Sequence, residues 1–333
     1  MSSDIAYRVL SEVNEVRSIA AEWDALLEGS RCNRAFSSPV WYLAACKDEQ
    51  VNSPYVITAR RGKGLVGVLP LAITGQGRTA AFPTHLADYN DIIAQPEDLN
   101  VLSGLIRRVL STQGEYQNLL FTDLRADSNC ARALSLVLGE QNNLVPDYSA
   151  CPHVRLPGSY AQYVRSRTPA FQIRLKRTNQ KAARNRLAVV ELQPESFSPD
   201  GLPDAFLSLH LSRRGSTSCF SRQPEQTFAA AALPSLFSRR ALRAFALYEK
   251  GKMVGINICM LGSDSLCYWN SGFLPEAGLW SPGRLLIDAG IRQAFAMGLQ
   301  EYDLLRGSED YKAGWANTTR QLYRIEIAAG LQE

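Results

Sequence analysis

Leu266-Cys267-Tyr268-Trp269-Asn270-Ser271-Gly272-Phe273 reads as a strand, and Trp280-Ser281-Pro282-Gly283-Arg284-Leu285-Leu286-Ile287 as the entry to a helix that ends near Gly298. Glu301-Tyr302-Asp303-Leu304-Leu305-Arg306-Gly307 follows as a second strand over 301–305, and Ser308-Glu309-Asp310-Tyr311-Lys312-Ala313-Gly314-Trp315 closes the segment. Ser281 is a suitable N-cap, and Pro282 fits the first helical turn, where its missing N–H is no loss. Gly283 leaves the backbone open, so the amides of Gly283 to Leu286 can lie against an anion. A strand, an amide-rich turn and a helix aimed at a phosphate make a pyrophosphate grip. This turn lacks the Lys of a P-loop and the Gly spacing of a dinucleotide fingerprint. An ordinary capped helix in an α/β domain reads the same way. Along the helix, Arg284, Asp288 and Arg292 share one face, with Ile287, Ile291, Ala294 and Phe295 toward the core. Arg284 either meets a phosphate or pairs with Asp288.

Outward from this segment, the chain repeats a pattern. Tyr55–Arg60, Gly62-Lys63-Gly64 and Leu65–Leu69 form one β-hairpin; Phe245–Glu249, Gly251-Lys252 and Met253–Asn257 form another. Counted from Gly67 to Gly255, they lie about 188 residues apart, the length of one domain plus a linker. Before the first hairpin come a strand near 5–10 and helices near 15–28 and 39–48. After it come strands near 77–82 and 91–94, a helix near 97–113, a strand near 117–122, a helix near 128–139 and a strand up to about 149. The plan recurs from residue 188: a strand, helices 202–213 and 224–238, the hairpin, strand 265–273, helix 282–297, strand 301–305 and a closing strand 320–328. Cys151-Pro152-His153 and Pro157-Gly158 mark an irregular crossing between the halves.

The composition bounds the class. At 333 residues and 46% apolar content the chain has room for two domains with real cores. A net charge of +4 is too mild to argue for nucleic acid, and no apolar run approaches the ~20 residues of a membrane helix. Asp4, Arg8, Glu12 and Glu15 exclude a signal-peptide apolar region, so a cytoplasmic protein is expected. The seven cysteines are scattered and read as buried free thiols. His85, His153 and His210 show no ligand spacing, so no metal is expected.

The basic part of the chain runs from Ser159 to Val190, which holds no acidic residue while Arg165, Arg167, Arg174, Lys176, Arg177, Lys181, Arg184 and Arg186 are cationic. It is either a solvated helix face or a surface that draws in an anionic partner such as coenzyme A phosphates, an acidic polysaccharide or a sugar-nucleotide.

Ser281-Pro282-Gly283-Arg284-Leu285-Leu286-Ile287, a helix, then Tyr302-Asp303-Leu304-Leu305-Arg306-Gly307-Ser308-Glu309-Asp310-Tyr311-Lys312 resembles the C-terminal signature of CelD/BcsL-type (cellulose biosynthesis) acetyltransferases of the GNAT superfamily. Phe36-Ser37-Ser38-Pro39-Val40-Trp41, Asp88-Tyr89-Asn90-Asp91, and His210 with Arg213-Arg214-Gly215 fit the same pattern, so the resemblance spans about residues 20 to 328. It departs in one place: the usual coenzyme A loop, Arg/Gln-x-x-Gly-x-Gly/Ala, is reduced to Ser281–Arg284. The resemblance implies an α/β (α+β mixed) fold of tandem GNAT-like domains, each a central mixed sheet flanked by helices. Residues 1–155 would be an acceptor-side domain, 156–187 a basic linker helix region, and 188–333 the acyl-CoA domain. It further implies an acyl-CoA-dependent N- or O-acyltransferase using acetyl-CoA or another acyl-CoA, without a metal. The acceptor would be a small molecule or a saccharide precursor of exopolysaccharide synthesis. Alternatives are a Fem-like aminoacyltransferase, against which the lack of a tRNA-binding helical insertion counts, and a non-catalytic GNAT-fold binding protein.

The same resemblance distributes the roles. The strands before and after the helix splay apart to admit the thioester, between Trp269, Asn270 and Ser271 on one side and Asp303 to Arg306 on the other. Ser281, Gly283, Arg284 and Leu285 hold the coenzyme. Tyr311 stands where the superfamily places the Tyr that protonates the departing thiolate; a phenol with a pKa of ~10 suits that part. Asp303, Glu309 and His210 are candidate proton acceptors. Asp88, Tyr89 and Asp91 in the first half, with Arg214, Arg306 and Lys312, would recognise the acceptor. Each also has a plain structural reading: Tyr311 packing beneath Trp315, Asp303 or Glu309 pairing with Arg306, His210 hydrogen-bonded in a core, and Asp88–Asp91 holding a turn.

Overall fold

In a computed structural model, residues 4–47, 52–75, 78–83, 86–112, 114–139 and 144–328 are described; His85 lies outside them. The elements run in chain order as β1 (Ile5–Leu10), α1 (Val13–Ser18), α2 (Ala20–Glu28), α3 (Pro39–Ala45), β2 (Asn52–Arg61), β3 (Gly64–Thr74), β4 (Thr79–Ala81), β5 (Ile93–Ala94), α4 (Leu99–Leu110), β6 (Asn118–Arg125), α5 (Asn129–Leu138) and β7 (Val145–Arg155). There follow α6 (Tyr160–Ser166), α7 (Pro169–Arg184), β8 (Ala188–Leu192), α8 (Leu202–Arg214), α9 (Gln223–Ser238), β9 (Leu242–Glu249), β10 (Lys252–Leu261), β11 (Ser265–Phe273), α10 (Pro282–Ala296), β12 (Glu301–Asp303), α11 (Asp310–Trp315) and β13 (Thr318–Ala328).

The chain divides into two compact units, one of Met1–Ala150 with Arg320–Glu333, the other of Cys151–Thr319. In the first, strands pair in the order β1-β2-β3-β4-β6-β13, with β5 on β3. In the second, the order is β8-β9-β10-β11-β12-β7. The two orders match place for place. The fourth and fifth strands are parallel in both, β4 with β6 and β11 with β12, and the sixth is antiparallel to the fifth. The two hairpins occupy the second and third places of their sheets. Each sixth place is filled from the far end of the other half: β7 follows the first unit's helices yet pairs β12, and β13 follows the second unit's helices yet pairs β6.

Helices cover both faces of each sheet, burying an apolar face against each one. In the first unit, Val101, Leu105 and Val109 of α4 join Leu119 and Phe121 of β6 in one core, while Trp23, Leu27 and Tyr42 of α2 and α3 join Val56 and Val68 in another. In the second, Leu286, Ile287, Ile291 and Ala294 of α10 and Phe171 and Leu175 of α7 share a core with Leu247 and Tyr302. Residues 156–187 thus form α6 and α7 of the second unit, and 320–328 form a strand of the first.

Three elements differ from their sequence reading. Cys151–His153 continue β7, with His153 opposite Asp303, because Pro152 contributes its carbonyl, which accepts the Leu304 N–H at 3.1 Å. The second strand of the 301–315 segment stops at Asp303, since Leu305 turns into the left-handed region (φ 57°). The expected helix 15–28 breaks into α1 and α2 at Ile19, which carries ψ near 2°.

Candidate active site

The strands on either side of α10 part company early. β11 and β12 pair only at Ser265–Glu301, Leu266–Tyr302 and Cys267–Asp303. β11 then runs on to Phe273 with β10 along its other edge, while the chain past Asp303 turns toward Pro152. Among the described residues, no strand pairs with that edge of β11 beyond Cys267, which leaves backbone donors and acceptors along a gap. Asp303 holds the turn that creates the gap: it has no exposed surface, and its Oδ1 accepts the Leu305 N–H at 2.8 Å. The register of β11 against β10 slips between Ile258–Asn270 and Cys259–Tyr268, making Trp269 the extra residue of a bulge. That residue packs between Phe206 and Phe220, at 5.7 and 5.6 Å, and is buried. Near the gap, Asn257 pairs across from Ser271. Its Oδ1 is buried and, among the described residues, has no hydrogen-bond donor.

At the start of α10, Ser281 does not cap with its side chain. It adopts a left-handed conformation (φ 54°, ψ 55°) without a side-chain cap bond; its carbonyl instead accepts the N–H groups of Arg284 (3.0 Å) and Leu285 (3.3 Å). No acceptor among the described residues takes the Gly283 N–H, and a Cβ placed on Gly283 would meet nothing within 4 Å. Asp288 is not the partner of Arg284. It is buried and engaged by Arg292 (3.0 Å), Asn179 (3.3 Å) and the Tyr160 hydroxyl. Arg284 lies 5.8 Å over the Trp315 ring with no carboxylate in reach among the described residues. Burial, and then the charge of Arg174 on α7, lower its proton affinity. The same helix braces the loop ahead of α10: Lys181 Nζ donates to the Leu279 carbonyl at 2.9 Å and lies 5.2 Å over Trp280.

Across the gap, the last turn of α8, β11 and α11 bring polar groups together. Gly272 makes this approach workable, because a Cβ there would lie 2.2 Å from the His210 backbone nitrogen. His210 is buried, its Nδ1 3.0 Å from the Ser271 carbonyl and its Nε2 2.8 Å from Ser218 Oγ. Burial, then the cations Arg214 and Arg213, outweigh the Ser271 bond and push the imidazole down to about 4, so it is neutral near pH 7. Ser271 Oγ lies 2.6 Å from the Tyr268 hydroxyl and accepts from Arg213 Nη1 at 3.3 Å. The Tyr311 phenol neighbours that of Tyr268, and Tyr311 as a whole residue is 38% exposed. Burial, then the Tyr268 neighbour, hold its pKa above the ordinary phenol value, so it keeps its proton at neutral pH. Neither Tyr268 nor Arg213 stands out as a site residue in the sequence. A Tyr on the strand expected to splay was the signal for the first; for the second, only the fold brings α8 over β11.

Other expected contacts serve the backbone. Lys312 is buried, its Nζ bonded to the Arg306 carbonyl and 3.0 Å from Glu309 Oε2, so this ion pair fastens the 306–312 turn around Gly307 (φ 122°). Arg214 stands exposed at the end of α8. Asn270 sits opposite Ile258 in the sheet. In the first unit, Tyr89 is buried between Arg125 and Arg320, with Arg320 Nη1 donating to its hydroxyl at 3.3 Å. Asp91 Oδ1 accepts the N–H groups of Ile92 and Cys130, both at 2.8 Å, which ties the 88–91 loop to the start of α5. Asp88 lies half-buried in the same loop.

The fold that carries this parted strand pair has likenesses among known proteins. Residues 171–313 match the family model described as Acetyltransferase (GNAT) domain. Over that stretch, less than half of its length, the chain is similar to a GNAT acetyltransferase domain. Its fold is similar to that of FemX, with TM-score 0.65, 10% identity, and 91% of this chain and 95% of that one covered. It is also similar to the C-terminal domain of a putative lysylphosphatidylglycerol synthetase from Agrobacterium fabrum (TM-score 0.60, 12% identity, 95% and 92% covered). A third likeness is to a tandem GNAT protein from the clavulanic acid biosynthesis pathway (TM-score 0.50, 13% identity, 99% and 100% covered). These likenesses agree in fold with the paired strand orders of the two units. A search of curated proteins finds no match. No helix among the described residues is long and apolar enough to cross a membrane.

Proposed function

We propose that the second unit is an acyl-CoA-dependent acyltransferase acting on an amine of a small-molecule or saccharide acceptor. The observation that carries this reading is the Gly283–Arg284 start of α10 beside the parted strands: an amide without an acceptor, open space over it, and an arginine without a carboxylate. These residues fit an acyl-coenzyme A, with Gly283, Arg284 and Arg174 toward its phosphates and the unpaired edge of β11 toward the amides of its arm. Bound there, the coenzyme supplies a thioester, whose acyl carbon forms a bond to the acceptor as the C–S bond breaks.

The chain's own residues then manage protons and exclude water. Tyr311, protonated at neutral pH and partly exposed, donates its proton to the departing sulfur and regains one from solvent. Neither Asp303 nor His210 is offered as a base: one is wholly buried on a backbone amide, and both nitrogens of the other are engaged. An amine that enters neutral can attack unaided and lose its proton to water. A hydroxyl acceptor needs a base, so the geometry favours N- over O-transfer. A second reading, transfer of an aminoacyl group in the Fem manner, is supported by the fold likeness to FemX and to the lysylphosphatidylglycerol synthetase domain.

Calorimetric titration and thermal shift with acetyl-CoA, longer acyl-CoAs and free coenzyme A test the reading. Saturable binding with a raised melting temperature is expected, because a ligand that binds only the folded state stabilises it. Absence of binding would overturn the acyl-CoA reading and leave aminoacyl transfer or a binding-only protein.

A further inference from the structure

Arg213 is anchored more firmly than its exposed place at the end of α8 requires. Its guanidinium carbon lies 4.4 Å over the Phe273 ring, and Nη1 donates to Ser271 Oγ at 3.3 Å. A stacked and hydrogen-bonded guanidinium presents its remaining N–H groups in a fixed direction, unlike a solvated side chain. Other arginines of the same unit are neutralised by carboxylates: Arg240 by Glu195 at 2.6 Å, Arg243 by Glu191 at 3.0 Å and Arg292 by Asp288 at 3.0 Å. Among the described residues, no carboxylate lies within 4.0 Å of Arg213. Its field instead reaches Tyr268 and Tyr311, whose phenols it makes easier to ionise. The cation is therefore fixed, uncompensated and near the phenol of Tyr311. A helix C-terminus attracts a cation without ligand, but that attraction needs neither the ring beneath it nor the Ser271 bond.

We propose that Arg213 is a specificity residue that binds an anionic group, a carboxylate or a phosphate, carried by the acyl acceptor. Ser271 and Phe273 hold the guanidinium so that two of its N–H groups can meet two oxygens of the anion, and the acceptor's amine is thereby brought beside Tyr311. This rests on the acyltransferase reading and adds the class of acceptor to it. A neutral acceptor would leave the arginine without a partner, so the site discriminates through a missing interaction rather than a clash.

The test uses three sugar amines that share a ring: glucosamine, glucosamine 6-phosphate and muramic acid, which carries a carboxylate. Each is titrated calorimetrically into the full chain, the Arg213→Met variant and the Arg213→Lys variant, with acetyl-CoA affinity measured alongside. At least one charged amine is expected to bind about tenfold or more tighter than glucosamine to the wild type; which one does so tells phosphate from carboxylate. Arg213→Met should remove that preference and leave acetyl-CoA affinity and melting temperature unchanged. Arg213→Lys should restore part of it, because charge returns without the planar fork. Charged amines that bind no better than glucosamine, that do not bind at millimolar concentration, or that bind Arg213→Met as well as wild type overturn the proposal while acetyl-CoA still binds. Failure of acetyl-CoA, longer acyl-CoAs and free coenzyme A alike to bind the wild type sinks the acyl-CoA reading itself.

Discussion

The Nδ1 of His210 lies 3.0 Å from the carbonyl oxygen of Ser271, and since a carbonyl only accepts, this contact fixes the imidazole as the Nδ1–H tautomer. Its Nε2 must then accept the Ser218 hydroxyl proton at 2.8 Å, while Ser218 Oγ also accepts the Phe220 N–H at 3.0 Å. The histidine thus ties the end of α8 both to β11 and to the turn before α9.

That tie has a pH signature. The unfolded chain protonates His210 near 6.5, whereas the folded chain resists until about 4. Stability from this group is therefore full above the unfolded value, falls as pH drops from 6.5 to about 4 and levels off below. The loss is on the order of 3 kcal/mol. Asp91 works in the opposite sense, because burial pushes its carboxyl up to about 6. The difference between wild type and His210→Gln is thus the quantity to read. Urea unfolding at several pH values should show a less stable variant at pH 7 that lacks this acid loss; parallel pH slopes would falsify the assignment.

Gly272→Ala should destabilise the second unit by about 1–3 kcal/mol or more through overpacking. The added methyl lands 2.2 Å from the His210 nitrogen and 2.4 Å from the Leu209 carbonyl carbon, backbone atoms that cannot rotate away. A denaturation midpoint equal to wild type would show that α8 shifts freely over β11.

Gly283→Val addresses the coenzyme grip without the same hazard, since its Cβ meets no protein atom within 4 Å. Stability should change by no more than about 0.5–1 kcal/mol, while affinity for acetyl-CoA falls at least about tenfold as the methyls occupy the phosphate's place. Unchanged affinity in a calorimetric titration removes this turn from the site.

Tyr311→Phe deletes one hydroxyl at a partly exposed position. Coenzyme affinity should hold, and turnover, once an acceptor is in hand, should fall by ~10²–10⁴-fold. A rate within about threefold of wild type would mean that the phenol only packs.

Local rules carried the sequence reading a long way. β11 and α10 fall within a residue of their expected bounds, and the hairpins turn where expected although their strands run about three to five residues further at the outer ends, because period-two runs, Gly turns and Pro at the first helical position act within a few residues. The site was less legible. Ser281 looked like a side-chain cap, but its left-handed backbone turns the carbonyl inward in place of the hydroxyl. Asp303 and Lys312 looked available, and each is consumed by a backbone group two to six residues away. Arg213 and Tyr268 sit in separate elements, and only the packing of α8 over Gly272 brings their side chains to one serine.

The exchanged sixth strands set an order on synthesis. When residue 150 leaves the ribosome, β6 still has a bare edge, and its partner lies beyond residue 318. The first half must wait through the making of the entire second half before its sheet is complete, with a template for unwanted pairing exposed meanwhile. The second half needs no such wait, because β7 is made before β12. A chain stopped at residue 319 should therefore keep a folded second unit beside an aggregation-prone first one. For the same reason, neither half can be separated from the other by a single cut in the sequence.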